Sequence, residues 1–439
     1  MNHYKKINQI AFPLLANGIL GLLIGLINQS MIARISVEAF GAIGAVHGLL
    51  FTLAGVFGMS AVAFHIYASK NGEQLQEYFR ATLFLSIAIG VLAAILLYVF
   101  QKPLLIFIYR FDGRVLEYAT EYLAIMSLYL AIQLPLFVFS SFFKIIKKTK
   151  WIFICSTFAA LLTVCLNYVL ILGNLGFREL GARGAALATI ISLSIQLSIY
   201  VYLCRKELKL SLPAAQQLKL LLKESIPLVG QEILEGSLFV IVIQGMIARI
   251  GNLELAGYLL VMPIVNVTLI SMYMYGAAVI TLVGENKQPS ALKNIPRTAL
   301  KMTMILFVGL SSLFLMFRYD VAGFISPDLD LVQYAASILL LTLLANLLSP
   351  VQNIYKSALQ AIGQSRFVLV STFMVNLFAF LMMLLLNFVW QPSFFWILLG
   401  IFINHGLLST VLFVKYRKVV LLKDNEGLGD DCRECNGSY

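Results

Sequence analysis

Twelve long apolar stretches, parted by short polar runs, make up most of the chain. They fall near residues 7–33, 40–68, 81–101, 119–143, 151–173, 184–204, 224–248, 255–283, 297–318, 333–359, 367–389 and 393–415. About 20 apolar residues cross a bilayer as a helix, and a helix satisfies its own backbone hydrogen bonds where no water is present. The pattern therefore predicts an all-α polytopic membrane protein with twelve transmembrane helices. The first stretch follows Lys5 and Lys6 and is too long for the apolar core of a signal peptide, so it is expected to stay as the first span.

Composition agrees with lipid as the solvent. Hydrophobic residues form 60% of the 439 and charged residues only 12%. A soluble domain needs about a quarter of its residues charged. The net charge of +11 would suit a nucleic-acid partner, but the basic residues sit in short loops between apolar spans. Of the 32 Lys and Arg, 24 lie on the side of the N-terminus and 8 on the opposite side. That asymmetry places both termini in the cytoplasm, with the chain multi-pass in a plasma (bacterial inner) membrane and no nucleic acid expected.

The chain repeats itself. Pro13 and the run Met31-Ile-Ala-Arg-Ile35 recur as Pro227 and Met246-Ile-Ala-Arg-Ile250. Gly41 pairs with Gly257, and Pro135, Ser141 and Lys150 pair with Pro350, Ser357 and Arg366. The offset stays between 214 and 216 throughout. Two pseudo-symmetric six-helix lobes follow: residues 1–204 and 224–415, joined by a cytoplasmic linker at 205–223 and followed by a cytoplasmic tail at 416–439. Six is even, so both lobes share one orientation, the parallel-repeat plan of many secondary transporters, in which substrate binds between halves that rock. Such a repeat is mechanically complete in one chain, so a monomer is expected.

Polar residues inside apolar spans are the candidates for chemistry, because charge in a bilayer is costly. Glu232 and Glu235 stand at i, i+3 in the seventh span, on one helix face, with Gln231 beside them and Gln244 deeper. Close carboxylates in a low dielectric cannot both ionise cheaply, so the pair suits a proton or, deprotonated, a sodium ion. The first span offers amides instead: Asn17, Asn28 and Gln29, next to Ser30. Asn28 and Asn167 are candidate cavity contacts or plain helix–helix bonds. His47, His65 and His405 could relay protons or simply bond a carbonyl. Lys356 is expected to reach the cytoplasmic interface, and Met272-Tyr-Met-Tyr275 to pack or to line an adaptable pocket. Pro13, Pro135, Pro227 and Pro350, with Pro263, mark kinks where spans could bend. Gly21-x-x-x-Gly25 and Gly44-x-x-x-Gly48 read as close helix contacts. Cys432-x-x-Cys435 lacks the partners of a metal site and reads as two free thiols. No nucleotide, hydrolase or zinc-protease motif occurs, so no enzyme, no metal and no cofactor are expected beyond a coupling ion, H+ or Na+.

Several runs resemble the multidrug and toxic compound extrusion (MATE) transporters. They are Phe12-Pro-Leu-Leu15 to Met31-Ile-Ala-Arg34, Ala68-Ser-Lys-Asn-Gly72, Leu166-Asn167 with Leu180-Gly-Ala-Arg-Gly-Ala-Ala-Leu-Ala-Thr189, and Ala358-Leu-Gln-Ala-Ile-Gly363. The resemblance spans nearly the whole chain and implies a twelve-helix, two-lobed antiporter. Such a protein expels cationic or amphipathic small molecules, drugs or secondary metabolites, in exchange for H+ or Na+. The acid the family often carries in its seventh helix matches Glu235, and Asn167 matches the Asn of the family's fifth-helix Leu-Asn pair. The first-helix acid falls on Asn28, the fifth-helix acid on Ile171, and the tenth span holds no Asp or Glu. Two other readings stay open: a flippase for a lipid-linked oligosaccharide or envelope precursor, and a non-transporting or degenerate membrane homologue.

Overall fold

A computed structural model gives the fold, and it describes residues 3–33, 35–70, 74–109, 111–205, 207, 215–234, 239–248, 250–286, 288–325, 329–389 and 393–435. In chain order the helices are α1 (His3–Ala33), α2 (Val37–Lys70), α3 (Leu75–Val99), α4 (Gln101–Tyr109), α5 (Gly113–Met126) and α6 (Tyr129–Ile145). Next come α7 (Lys150–Leu170), α8 (Gly181–Leu203), α9 (Ala215–Glu232), α10 (Phe239–Ala248), α11 (Asn252–Glu285) and α12 (Pro289–Met316). The last are α13 (Arg318–Ile325), α14 (Leu329–Ala345), α15 (Ser349–Ala361), α16 (Ser365–Val389) and α17 (Phe394–Cys435). No strand occurs among the described residues.

Among the described residues ten apolar spans are long enough to cross a membrane, or eleven when the bent pair α5–α6 counts as one. The remaining expected span, the seventh at 224–248, is carried by α9 and α10, and residues 235–238 between them lie outside the described set. The layout is the expected all-α, two-lobed, twelve-helix one. Its surface is inverted relative to a soluble protein. Along α16, Val370, Phe373, Met374, Leu377, Phe378, Leu381 and Leu385 are exposed on one helical face. The opposite face buries Ser371, Thr372 and Asn376. Only hydrocarbon solvates such a face well.

The chain divides into two compact units. The first is Phe12–Val229; the second is Met1–Ala11 together with Gly230–Tyr439. The division falls just past the expected 205–223 linker and gives the first eleven residues to the second unit. The same pairings recur inside each unit, as duplication requires. α2 packs on α5 and α6 as α11 packs on α14 and α15; α3 meets α6 as α12 meets α15; α7 meets α8 as α16 meets α17. The first core gathers Ile43, Val46, Leu50, Leu105, Leu123 and Met126, the second Ile247, Val261, Val265, Leu339 and Ile397.

Both units break one span at its middle. α5 and α6 meet at a 46° bend at Ser127–Leu128, and α14 and α15 part at Asn346–Leu348. Side chains satisfy the carbonyls there: Ser127 Oγ donates to Ala124 O (2.9 Å), Asn346 Nδ2 to Thr342 O (2.9 Å) and Ser409 Oγ to Leu348 O (3.1 Å). Pro350 opens α15, and Pro135 lies one to two turns inside α6, where it removes a further backbone bond. Between α7 and α8, Leu180 N donates to Leu170 O (2.9 Å). A Cβ on Gly184 would stand 2.5 Å from that same oxygen, which is why this position of the Leu180–Thr189 run is a glycine.

Candidate functional site

A cavity of about 760 Å3 opens inside the first unit. α1 contributes Asn17, Gly21, Gly25 and Asn28; α2 contributes Phe40, Gly44, His47, Gly48 and Phe51. α5 adds Tyr122, α7 adds Ser156, Thr157, Thr163 and Asn167, and α8 adds Thr189 and Gln196. The glycine rows correct the expectation of close helix contact. A Cβ built on Gly21, Gly25, Gly44 or Gly48 meets no described atom within 4 Å. These glycines widen a hollow instead of seating a neighbouring helix.

Polar groups on the wall bond across it. Asn167 Nδ2 donates to Asn28 Oδ1 at 3.0 Å, and Ser156 Oγ donates to Asn17 Oδ1. Thr163 and Thr189 turn their hydroxyls back to Ala159 O (2.9 Å) and Ala185 O (3.0 Å), the usual way a hydroxyl is satisfied inside an apolar helix. Asn167 Oδ1 and Thr157 Oγ1 are buried without a hydrogen-bond partner among the described residues. His47 lines the same space. Among the described lining residues there is no Asp, Glu, Lys or Arg.

The second unit carries its polar groups differently. Gln231, near the end of α9, is buried and accepts from Gln360 Nε2 at 2.9 Å. It is not among the residues that line the first-unit cavity. His405 Nδ1 lies 2.6 Å from Gln352 Oε1, and Asn404 Nδ2 donates to Asn376 Oδ1 at 2.8 Å. Glu232 ends α9, half-buried, and the backbone widens into a π turn at Ile233 and Leu234. Turns of that kind gather at functional positions. Glu235 lies outside the described residues. Gln244 is half-buried on α10.

The remaining candidates fall as follows. His65 is buried on α2. Lys356 is half-buried on α15. Met272 and Tyr275 are buried, and Tyr275 Oη donates to Asn8 Oδ1 at 3.0 Å within the second unit, so these two pack, while Tyr273 between them is exposed. The unit boundaries at Ala11/Phe12 and Val229/Gly230 lie within two or three residues of Pro13 and Pro227. α17 continues to Cys435, well beyond the expected span end at 415.

Gln352, Gln360, Asn376 and Asn404 were not singled out from the sequence. Each is an amide in an apolar span, and that signal was available, but nothing in spacing says which amides meet. Gln360 sits inside the Ala358–Gly363 run, which α15 closes at Gly363 with φ +90°, a conformation glycine adopts without strain.

Apolar outer faces, polar interiors bonded amide to amide, and a hollow within one of two duplicated units define a multi-pass membrane transporter. The chain belongs to the MatE family, whose profile matches residues 13–169 and again 227–389, once in each half. Its similarity extends to Probable multidrug resistance protein YoeA of Bacillus subtilis strain 168, 23% identical over 82% of this chain and 81% of that one. Multidrug export protein MepA of Staphylococcus aureus strain MSSA476 is 22% identical over 83% and 82%. Among solved structures, an outward-facing multidrug resistance MATE family transporter of the MOP superfamily superposes with a TM-score of 0.85 at 17% identity, covering 97% of each chain.

Proposed function

We propose that this protein exports drug-like, cationic or amphipathic small molecules across a bacterial inner membrane by alternating access, in exchange for H+ or Na+. The observation that carries this reading is the double match to the MatE profile, at 13–169 and 227–389, in a chain whose similarity to multidrug export proteins runs over four-fifths of its length. The coupling ion is carried by Glu235, with Glu232 beside it. An acid held in an apolar span changes its affinity for a cation when the side it faces changes, and that difference sets the driving force. The amides of the first unit cannot serve this purpose, since an Asn side chain does not titrate. Both termini lie in the cytoplasm, and one chain suffices for transport.

The test uses inverted membrane vesicles with ethidium added outside, its uptake into the lumen driven by an imposed pH or Na+ gradient. The unmodified chain is expected to move ethidium with one gradient and not the other. Glu235→Gln is expected to abolish that flux while membrane insertion and yield stay unchanged. Full flux in the Glu235→Gln and Glu232→Gln proteins would remove the coupling assignment.

A further inference from the structure

The third span of each half runs on into a short helix. α3 leads into α4 through Phe100, and α12 leads into α13 through Phe317. The backbone at the two joints is nearly the same, φ −99°, ψ 15° at Phe100 and φ −105°, ψ 27° at Phe317. The duplication holds here at an offset of 217, which pairs Phe100 with Phe317, Phe107 with Phe324 and Ile108 with Ile325. Leu105 joins the first core with Leu97 and Ala119, and its counterpart Ala322 joins the second with Val332 and Ala335. Two residues on, each short helix has turned to its opposite side. There Phe107 is 87% and Phe324 81% exposed, more than any other large apolar side chain among the described residues.

Leaving such rings in water is unfavourable, and both copies present one at the same position. The adjoining surface says what covers them. Leu92, Ile95, Leu96 and Val99 are exposed along α3 up to the joint, as are Ile305, Val308, Leu313 and Met316 along α12. Acyl chains solvate those faces, and the two rings continue them. With nine and eight residues, α4 and α13 reach about 12–13 Å and cannot cross a hydrocarbon core of about 30 Å. An odd number of spans precedes each, three before α4 and nine before α13, so both lie on the side away from the N-terminus. Polar groups sit where headgroups would meet them. Lys102 is exposed on α4, and on α13 the Arg318 guanidinium stands 5.0 Å from the ring centroid of the exposed Tyr319. Basic and aromatic side chains of this kind mark the membrane boundary. A protein partner would have to read Lys102 and Pro103 on one helix but Tyr319 and Asp320 on the other. Lipid needs only the apolar tip that the two share.

We propose that α4 and α13 are interfacial anchors whose partner is the lipid surface of the leaflet away from the N-terminus. Each lies along the boundary between headgroups and acyl chains, with Phe107 or Phe324 set among the upper part of the chains. Each unit thus carries its own hold on that leaflet.

Tryptophan fluorescence of the full chain in lipid nanodiscs tests it. Trp151, Trp390 and Trp396 are replaced by Phe, and Phe107→Trp or Phe324→Trp is added singly. Three quenchers report where the new ring sits: iodide in the water, lipid brominated near the headgroup end of its acyl chains, and lipid brominated near the chain ends. For both variants the first brominated lipid is expected to remove most of the emission, the second to remove less, and iodide to leave it almost unchanged. Should the background without native Trp fold poorly, the same substitutions in the otherwise unmodified chain are read as the difference from the parent. Iodide quenching that exceeds either lipid would place the rings in water and overturn the proposal. So would protection from all three quenchers, which would mean a second copy or another protein covers the rings. Stronger quenching from the chain ends would set the helices in the hydrocarbon core and overturn it too. No flux is measured, so ion coupling in vesicles and lipid contact here stand or fall separately.

Discussion

Asn167 on α7 donates from Nδ2 to Oδ1 of Asn28 on α1 at 3.0 Å, joining two helices 139 positions apart in sequence. The bond ties together two walls of the first-unit cavity, and it does so with neutral groups at the position where the MATE resemblance places an acid.

Asn28→Leu leaves both polar atoms of the Asn167 amide unmatched in a buried setting. It is expected to cost about 1–2 kcal/mol, at the upper end of what interhelical hydrogen bonds contribute in membranes. Adding Asn167→Leu removes the stranded group and is expected to restore part of the loss. Thermal unfolding in detergent, run as a double-mutant cycle, checks this; strictly additive losses would show that the two amides do not depend on each other.

Two glycines of different surroundings should answer differently to one methyl group. At Gly184 a Cβ would stand 2.5 Å from Leu170 O, backbone that cannot swing aside, so Gly184→Ala is expected to destabilise by about 1–3 kcal/mol. At Gly25 no described atom lies within 4 Å, and Gly25→Ala is expected to be neutral or to gain up to about 1 kcal/mol of helix propensity. Melting temperatures of the two variants, compared side by side, decide the matter.

Those glycines also show where sequence stops being informative. The spans, the all-α class and the duplication were legible, because apolar length and a constant offset are properties of the chain itself. Asn28 and Asn167 were legible as polar residues in apolar spans. Whether Gly21-x-x-x-Gly25 seats a neighbour or borders a hollow was not, since both arrangements place small residues four apart on a helix. The breaks at Ser127–Leu128 and Asn346–Leu348 were hidden for a related reason: apolar content carries straight through a bend. The partnership of Gln231 with Gln360 depends on how α9 meets α15, which no local pattern encodes.

That partnership supplies a third test. Gln360→Leu removes the 2.9 Å donor to Oε1 of Gln231, which is 4% exposed. The expected cost is about 1–3 kcal/mol of stability, with Gln360→Glu milder than Gln360→Leu only at a pH low enough to protonate the new acid. Unfolding curves at two pH values distinguish these outcomes.

Cys204 lies just past the end of α8, and burial, with the carboxylate of Glu207 adding to it, pushes its thiol from 9.0 up to about 12. Thiolate is the reactive form, and the raised pKa leaves little of it at pH 8. Iodoacetamide is therefore expected to spare Cys204 in the folded protein at pH 8 and to modify it after denaturation. The folded thiol holds its proton more tightly than the unfolded one, so its contribution to stability is complete below about pH 9 and is lost as pH rises toward 12. Mass spectrometry of labelled peptides reads the first effect. Equal labelling of folded and denatured chains at pH 8 would contradict it.

The assignment of residues 1–11 to the body formed by 230–439 has a bearing on biogenesis. These residues leave the ribosome first, yet the segments they settle against are synthesised more than two hundred positions later. At about 5–20 residues per second, that is a wait of roughly ten to forty-five seconds. A chain cut within 205–223 and produced as two fragments would leave the later fragment short of its opening eleven residues, so the later fragment should mature only in the company of the earlier one.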